Sequence, residues 1–342
     1  MLAAALFGAS TPFAKLLVEQ SHPVMLAGLL YLGSGIGLFI LMGIRHFYAS
    51  ADNKAAYLKG KDIPWFAGAV FFGGVVGPAL LMFGLVYTPG SSAALLLNLE
   101  GVFTALLAWF VFRENFDRRI FLGMVSIVAG SVLLSWEQAP EPGGAWSALA
   151  IVGACLCWGI DNNLTRKVSA SDALQIASIK GLVAGIFNVS LALATGALLP
   201  ESSAMFSAAL VGFLGYGVSL VLFVLALRYL GTARTGAYFS SAPFVGAALA
   251  LVMLQETPEI LFIAGFAAMA LGLWLHLTEK HEHLHSHEPM THSHSHVHDE
   301  HHQHAHNVPW EGSEPHTHEH FHPAMVHKHP HYPDIHHRHE HS

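Results

Sequence analysis

Two parts of the chain repeat one another at a spacing of 142 residues. Residues 84–134 align without a gap with residues 226–276, and both copies are long apolar runs separated by short polar joints. Identical residues recur at matched positions: Tyr87 and Tyr229, Ala108 and Ala250, Glu114 and Glu256, Gly123 and Gly265, and Gly130 and Gly272. This spacing predicts two structurally similar halves.

The basic residues at the polar joints are reversed between the two copies. Residues 87–92 contain no Lys or Arg, whereas their counterpart contains Arg228 and Arg234. The next joint of copy one contains Arg113, Arg118 and Arg119, whereas residues 255–259 contain none. Because cytoplasmic loops collect Lys and Arg, we expect the copies to cross a membrane in opposite senses. Inverted repeats are typical of secondary transporters, whose substrate sites lie near the membrane midplane.

The composition also indicates a membrane protein. The chain is 53% hydrophobic and 11% charged, whereas soluble domains contain about 25% charged residues. We predict an all-α integral membrane fold: ten transmembrane helices in two inverted five-helix repeats, residues 1–137 and 145–278, with a disordered C-terminal tail, residues 279–342. Spans of about 17–25 apolar residues are predicted at 2–18, 24–44, 64–86, 91–112, 119–136, 145–164, 173–199, 204–226, 235–254 and 259–277. The lipid bilayer is the predicted partner, and the net charge of −7 gives no indication of a nucleic acid.

The distribution of basic residues also predicts the orientation. With a cytoplasmic N-terminus, the outside joints contain no Lys or Arg, and the inside joints contain Arg45, Lys54, Lys59, Lys61, Arg113, Arg118, Arg119, Arg166, Lys167, Arg228, Arg234 and Lys280. Both termini are therefore predicted to be cytoplasmic, in an inner (plasma) membrane. The first span begins without a basic region, so we expect a true span and not a signal peptide. Its 17 residues are short, and we expect a few residues to precede it in the complete protein.

Few ionisable residues fall inside the predicted spans, and these are the candidate substrate or coupling-ion residues. Burying an unpaired charge at the bilayer centre costs at least about 2.5–3.5 kcal/mol, so such residues are functional candidates. Glu100 lies at mid-depth in the fourth span, and its neighbour Asn98 projects about 200° away on a helix. Asp161 lies towards the cytoplasmic end of the sixth span and is followed by Asn162. The alternative is that a Lys or Arg of a facing helix holds each carboxylate permanently.

Two lysines also lie within the spans. Lys15 is a further candidate site residue, but its i,i+4 spacing from Glu19 also predicts a structural pair. Lys180 is expected to extend its amine outward to the cytoplasmic surface. Pro12, Pro78 and Pro243 interrupt three spans, and a glycine cluster at residues 73–77 precedes the second of them. Such breaks indicate either close helix packing or a kink that lines a cavity.

Three motifs resemble the EamA-type branch of the drug/metabolite transporter superfamily. They are Phe-Gly-Ala-Ser-Thr-Pro-Phe-Ala-Lys at residues 7–15, Trp-Gly-Ile-Asp-Asn-Asn-Leu-Thr-Arg at residues 158–166, and Leu-Glu-Gly-Val-Phe-Thr-Ala-Leu-Leu-Ala at residues 99–108, with Glu114 beyond it. Gly101 stands where many relatives have Pro, and the second copy keeps Pro243. The resemblance covers residues 1–277 and implies substrate-coupled transport across the inner membrane, often efflux of metabolites or drugs.

The C-terminal tail is rich in histidine: 23 of the 26 His lie between His281 and His341. Such a segment cannot build an apolar core, so we expect disorder without a ligand. Neutral imidazole suits Zn, Ni or Co, and we predict that the tail binds a divalent transition metal, whereas transport itself needs no cofactor. The candidate ligands are His281, His283, His285, His287, His292, His294, His296, His298, His301, His302, His304, His306, His316, His318, His320, His322, His336, His337, His339 and His341.

The sequence therefore predicts a secondary active transporter that exports a divalent transition metal (Ni, Co or Zn), with a cytoplasmic metal-binding tail. The alternative is an exporter of a small organic metabolite or drug, whose tail only senses or buffers metal. A third possibility, a metal-buffering protein anchored in the membrane, does not account for ten helices. No nucleophile–base or cofactor motif indicates an enzyme. The oligomeric state, a homodimer among the options, is left open.

Overall fold

The computed structural model describes residues 1–48, 58, 60–112, 118–138, 144–168, 171–230, 238–278, 282–287, 290–296, 316–322 and 325–330. These residues form two compact units, Met1–Glu279 and Lys280–Ser342. The regular structure described within the first unit is helical, and that described within the second is β-strand.

The helices of the first unit follow one another with short connections. A 3₁₀ turn, Gly60–Asp62, precedes the third of them. The α-helices are α1 Leu2–Val18, α2 Pro23–Tyr48, α3 Ile63–Ala69, α4 Gly77–Tyr87, α5 Gly90–Leu96, α6 Leu99–Phe112, α7 Arg118–Gln138, α8 Gly144–Val168, α9 Ala173–Ala194, α10 Ser202–Val211, α11 Ser219–Leu230, α12 Ala242–Met253 and α13 Ile260–Leu277.

Many of these helices have the length and composition of membrane spans. Among the described residues, six helical stretches are long and apolar enough to cross a bilayer, and four shorter apolar helices accompany them. The count of ten spans and the inverted arrangement stay predictions. The predicted fourth span is broken at Leu97 and Asn98, between α5 and α6. Helix α8 continues to Val168, four residues beyond the predicted end at Leu164.

Two helical stretches contain a short π-helical segment. The first π segment, Val70–Val76, joins α3 to α4, and the second, Gly212–Val218, joins α10 to α11. The two segments start 142 residues apart, which is the spacing of the sequence repeat. In each, an N–H group donates to the carbonyl five residues earlier, from Gly77 to Phe72 and from Ser219 to Leu214. π segments inside α-helices occur frequently at functional sites.

Glycines allow the helices to approach closely where they cross. Helices α2 and α9 pack together, as do α7 and α13, α1 and α12, and α6 and α8. A Cβ atom on Gly130 would meet the carbonyl oxygen of Gly265, and one on Gly272 would meet that of Gly123. Small residues of this kind replace the hydrophobic effect, which cannot drive helix association in lipid.

The tail forms short strands where the sequence predicted disorder. Strands β1 Glu282–His287 and β4 Met325–Pro330 pair antiparallel, as do β2 Met290–His296 and β3 His316–His322. For these segments the expectation of disorder is wrong. The physical reason is the alternation of His with Ser, Thr, Glu or Leu, which has the two-residue period of a strand. Ten predicted ligands lie outside the described residues: His281, His298, His301, His302, His304, His306, His336, His337, His339 and His341.

Candidate functional site

Asp161 and Lys180 form a buried ion pair between α8 and α9. Lys180 Nζ donates to Oδ2 of Asp161, and the two residues are only 4% and 6% exposed, respectively. The Oδ1 atom accepts a hydrogen bond of 2.9 Å from Thr165 Oγ1. Asp161 is thus held by a lysine of a facing helix, the alternative that the sequence left open. The prediction that Lys180 extends to the membrane surface is wrong.

Glu100 lies one face of α8 away and has a different kind of partner. Asn162 Nδ2 donates to Glu100 Oε1 over 2.8 Å and to Thr104 Oγ1 over 3.2 Å. The Thr104 hydroxyl in turn donates to the backbone oxygen of Glu100. Within the described part of the chain, the carboxylate of Glu100 has no ion-pair partner. Asp161 and Asn162 are consecutive, so α8 holds the charge pair on one side and the Glu100 contact on the other.

Asn98 is buried at the break between α5 and α6, away from the Glu100 contacts. Its Nδ2 atom donates to the Leu95 carbonyl over 3.0 Å and approaches Met269 Sδ at 3.8 Å. The side chain therefore faces α13, in agreement with the angle of about 200° expected between residues two positions apart on a helix. The structure does not bring Asn98 together with Glu100 and Asn162.

Lys15 contacts the end of α4. Its Nζ atom donates to the backbone oxygens of Leu85 and Val86, over 2.7 Å and 3.2 Å. The expected pairing with Glu19 is not among the ion pairs of the described residues. Lys15 instead satisfies carbonyl groups that lack a partner at a helix C-terminus, where a positive charge is also favoured by the helix dipole.

The first π segment borders the ion pair and presents two free carbonyl groups to it. Pro78 has no N–H group, so it cannot donate to Gly74, four residues earlier, or to Gly73, five residues earlier. Tyr31 Oη and Trp158 Nε1 donate to the Gly73 oxygen over 2.6 Å and 3.0 Å. Asn188 Nδ2 donates to the Gly74 oxygen over 2.9 Å.

Tyr31, Trp158 and Asn188 were not among the residues that the sequence predicted. The signal available was Pro78 directly after a glycine cluster, which frees carbonyl groups that must find donors. The donors belong to α2, α8 and α9, three helices that meet only in the folded protein. Asn188 is fully buried, and within the described residues its Oδ1 atom has no hydrogen-bond partner.

The second half contains a similar contact without charge. Gly73 lies against the side chain of Asp161, and Gly215 lies against that of Ser10. Gly215 is 142 residues after Gly73, and Ser10 is 151 residues before Asp161, the offset that also relates the motifs at residues 7–15 and 158–166. The same packing position therefore holds a carboxylate in one half and a hydroxyl in the other, so the buried charges make the two halves chemically unequal.

The search for other sites gives little in the described part of the chain. An opening of about 250 Å³ is lined by Met1, Ala3, Ala4, Phe223, Tyr238 and Phe239, none of which is a predicted site residue. Among the residues whose side chains are described, no group of three or more His, Cys, Asp or Glu is close enough to hold a metal ion.

Comparison with known proteins gives consistent matches along most of the chain. The EamA-like transporter family matches residues 1–136 and 145–278. A protein of Methanothermobacter thermautotrophicus, described as an uncharacterized transporter, is 28% identical over 273 residues, covering 75% of this chain and 78% of its own length. The uncharacterized transporter YetK of Bacillus subtilis is 24% identical over 295 residues, covering 81% and 85%. A crystal structure with 16% identity has the same fold, with a TM-score of 0.59, covering 80% of this chain and 94% of its own.

Proposed function

We propose that this chain, which belongs to the EamA-like transporter family, is a secondary active transporter coupled through the carboxyl group of Glu100. The chain is a multi-pass membrane protein, and its relatives are named as transporters. The proposal concerns the finer points, namely the coupling residue, the orientation and the cargo.

The difference between the two buried carboxylates carries the assignment of Glu100. Asp161 is neutralised by Lys180, and protonating it would leave a buried ammonium group without its counter-charge, at a large energetic cost. The Glu100 carboxyl instead accepts from the neutral amide of Asn162. A carboxyl oxygen can accept that hydrogen bond in both protonation states. Glu100 can therefore take up and release a proton, or a cation, while Asp161 and Lys180 remain a fixed pair.

The test is Glu100→Gln, compared with Glu201→Gln as a matched control outside the helices. Gln retains an oxygen that accepts from Asn162 but cannot ionise. Each protein is reconstituted into proteoliposomes and offered a panel of metals and amino acids, with and without a pH gradient. We expect Glu100→Gln to insert normally and to lose gradient-driven transport to background, and Glu201→Gln to transport normally. Transport by Glu100→Gln at the parent rate would refute the coupling role.

We propose an inner-membrane orientation with both termini in the cytoplasm. Its support is the complete segregation of basic residues between the two sets of joints. The inverted arrangement is further supported by the crossing of α7 and α13. Adding 142 to Gly123 and Gly130 gives Gly265 and Gly272, so the contacts Gly130–Gly265 and Gly123–Gly272 exchange under the repeat. Reporter fusions should read outside at Ala139, Glu201 and Thr257, and cytoplasmic at Asn53, Arg119, Ser169 and Ser342.

The first proposed cargo is a divalent transition metal, exported with the help of the tail. Support comes from the pairing of the tail strands, whose register sets His292 opposite His320, His294 opposite His318, and His296 opposite His316. Directly opposite residues of an antiparallel pair share one face of the sheet. Histidine-rich tracts bind metal by composition, and this register would concentrate their ligands on one face.

The second proposed cargo is a small organic metabolite or drug. The observation in its favour is the chemistry around Glu100, where the described partners are the amide of Asn162 and the hydroxyl of Thr104. Amide and hydroxyl groups suit polar organic molecules, whereas Zn, Ni and Co favour imidazole or thiolate ligands. In this case the tail senses or buffers metal and takes no part in translocation.

A further inference from the structure

The turn between α4 and α5 is held from two sides by charged side chains of other helices. Lys15 of α1 donates to the carbonyl oxygens of Leu85 and Val86, at the end of α4. On the other side of the turn, Glu256, which follows α12, accepts from the N–H groups that begin α5. Its Oε1 atom is 2.6 Å from the nitrogen of Gly90, and its Oε2 atom is 2.9 Å from that of Ser91.

The charges match the polarity of the helix ends that they contact. Lys15 lies at a C-terminus and Glu256 at an N-terminus, and each placement is favoured by the helix dipole. The two side chains are also near enough to attract one another electrostatically. Hydrogen bonds that involve an ionised partner are about twice as strong as neutral ones.

The backbone before Glu256 is strained in the conformation that directs Glu256 to the turn. Gln255 has φ 51°, in the left-handed region that residues other than Gly, Asn and Asp seldom adopt. Such strain persists only where the surrounding structure maintains it, and it is common at switch regions. The two hydrogen bonds of Glu256 supply that compensation.

We propose that Lys15 and Glu256 form a clamp, the four hydrogen bonds to residues 85–91, which keeps this end of the transporter closed between transport steps. The inference rests on the proposed transport function and orientation, which put the turn on the outer side of the membrane. The clamp joins α1 and the α12 end to the α4–α5 turn, so that end opens only when the clamp releases. Lys15 and Glu256 are positioning residues, since they act on the helices and not on the cargo.

Thr88, inside the turn, offers a reporter for the closed state. It is fully buried, and its Oγ1 atom has no hydrogen-bond partner within the described residues. Thr88→Cys therefore removes no contact that the structure records, and the new thiol is shielded while the clamp is closed. The native Cys155 and Cys157 are buried, and the parent chain gives their background.

The experiment measures labelling of the Thr88→Cys protein in membranes by a thiol reagent that cannot cross them. Adding Glu256→Gln or Lys15→Gln should raise the labelling rate about tenfold, the factor expected from one hydrogen bond to a charged group. Glu259→Gln, a nearby carboxylate outside the clamp, is the matched control and should leave the rate unchanged. Two clamp variants keep the test valid if one of them fails to insert.

A second reporter separates opening from general loosening. Ser178→Cys places a thiol at another fully buried position, on α9. The clamp predicts that Glu256→Gln leaves labelling of this reporter unchanged. Equal increases at both reporters, or no increase at Thr88→Cys with either variant, would overturn the clamp. Neither result depends on a substrate, so the proposed coupling role of Glu100 would stand or fall separately.

Discussion

Gly73 lies directly against the carboxylate of Asp161, and the structure leaves no space between them for a Cβ atom. The same glycine provides the carbonyl group that accepts hydrogen bonds from Tyr31 and Trp158. One residue of the first π segment therefore fixes both the position of the ion pair and the donors around it. The close approach is possible only because Gly73 has no side chain.

Gly73→Ala should disturb this site more than its size suggests. The new methyl group must displace the Asp161 carboxylate, which would separate it from Lys180. Gly101→Ala is the matched control, since a Cβ on Gly101 meets no atom within 4 Å, and Ala is favoured over Gly in a helix by about 1 kcal/mol. We expect Gly73→Ala to lose most of its transport activity, and Gly101→Ala to keep it with equal or higher thermal stability.

The Asp161–Lys180 pair predicts a specific pattern of stabilities. Asp161→Asn and Lys180→Met each leave one buried charge unpaired, which typically costs about 3–5 kcal/mol. The double variant leaves neither charge and should be more stable than either single variant. Thermal aggregation of the protein in detergent, followed by size-exclusion chromatography, measures this. Destabilisation of the double variant equal to the sum of the two single effects would contradict a direct pair.

Sequence reasoning found some of the site residues and missed those that depend on packing. Glu100, Asp161 and Asn162 could be found because charged residues within apolar spans are few. Lys180 was misplaced because its partner lies on the facing helix α8, whose packing against α9 the sequence does not specify. Lys15 was paired with Glu19 because local spacing is visible in a sequence, whereas the free carbonyl groups of Leu85 and Val86 are not. The roles of these residues stay predictions.

The π segments could have been anticipated in part. Their glycine-rich sequences, Val-Phe-Phe-Gly-Gly-Val-Val and Gly-Phe-Leu-Gly-Tyr-Gly-Val, occupy positions that the repeat relates. Glycine weakens a regular helix, and Pro78 removes a donor after the first segment. The donors that replace it, Tyr31, Trp158 and Asn188, come from three separate helices, so no local pattern identifies them.

Asp172, which caps the N-terminus of α9, should make stability depend on pH. Burial alone would raise the pKa of its carboxyl group. The hydrogen bond from Arg45 at 2.5 Å and those from the N–H groups of Leu174 and Gln175 outweigh burial and hold the pKa below its usual range. A lowered pKa in the folded state means that the ionised carboxylate stabilises the fold above the unfolded value, about 3.9. This contribution is lost as the pH falls through the folded pKa.

Asp172→Asn isolates the charge, because Asn also caps helices well. Arg45 is largely exposed, so solvent screens the pair and its contribution is at most about 1 kcal/mol. We expect a melting temperature about 2–4 °C below that of the parent at pH 7, with the difference disappearing at about pH 3. Asp172→Ala, which also removes the cap, should be less stable than Asp172→Asn at both pH values. A constant difference between Asp172→Asn and the parent across this range would contradict the assigned pKa direction.

Removal of the tail separates the two proposed cargoes. A chain ending at Glu279 retains α1–α13 and loses the 23 tail histidines. If the tail supplies metal to the transporter, it raises the local metal concentration at the cytoplasmic mouth, as any tether does for a second binding event. Truncation should then weaken metal resistance of cells most at low external metal, and progressively less as free metal saturates the transporter.

If the cargo is organic, the truncated protein should transport it at the parent rate without metal and should lose only the effect of added metal. Both versions require the tail to bind Zn, Ni or Co at pH 7.5 and to release it near pH 5.5, where protons compete for imidazole. Calorimetric titration of the full chain against the truncated chain measures this directly, since the helical unit is common to both. Identical metal-binding heats for the two proteins at pH 7.5 would exclude the tail from both versions, because their only difference is residues 280–342.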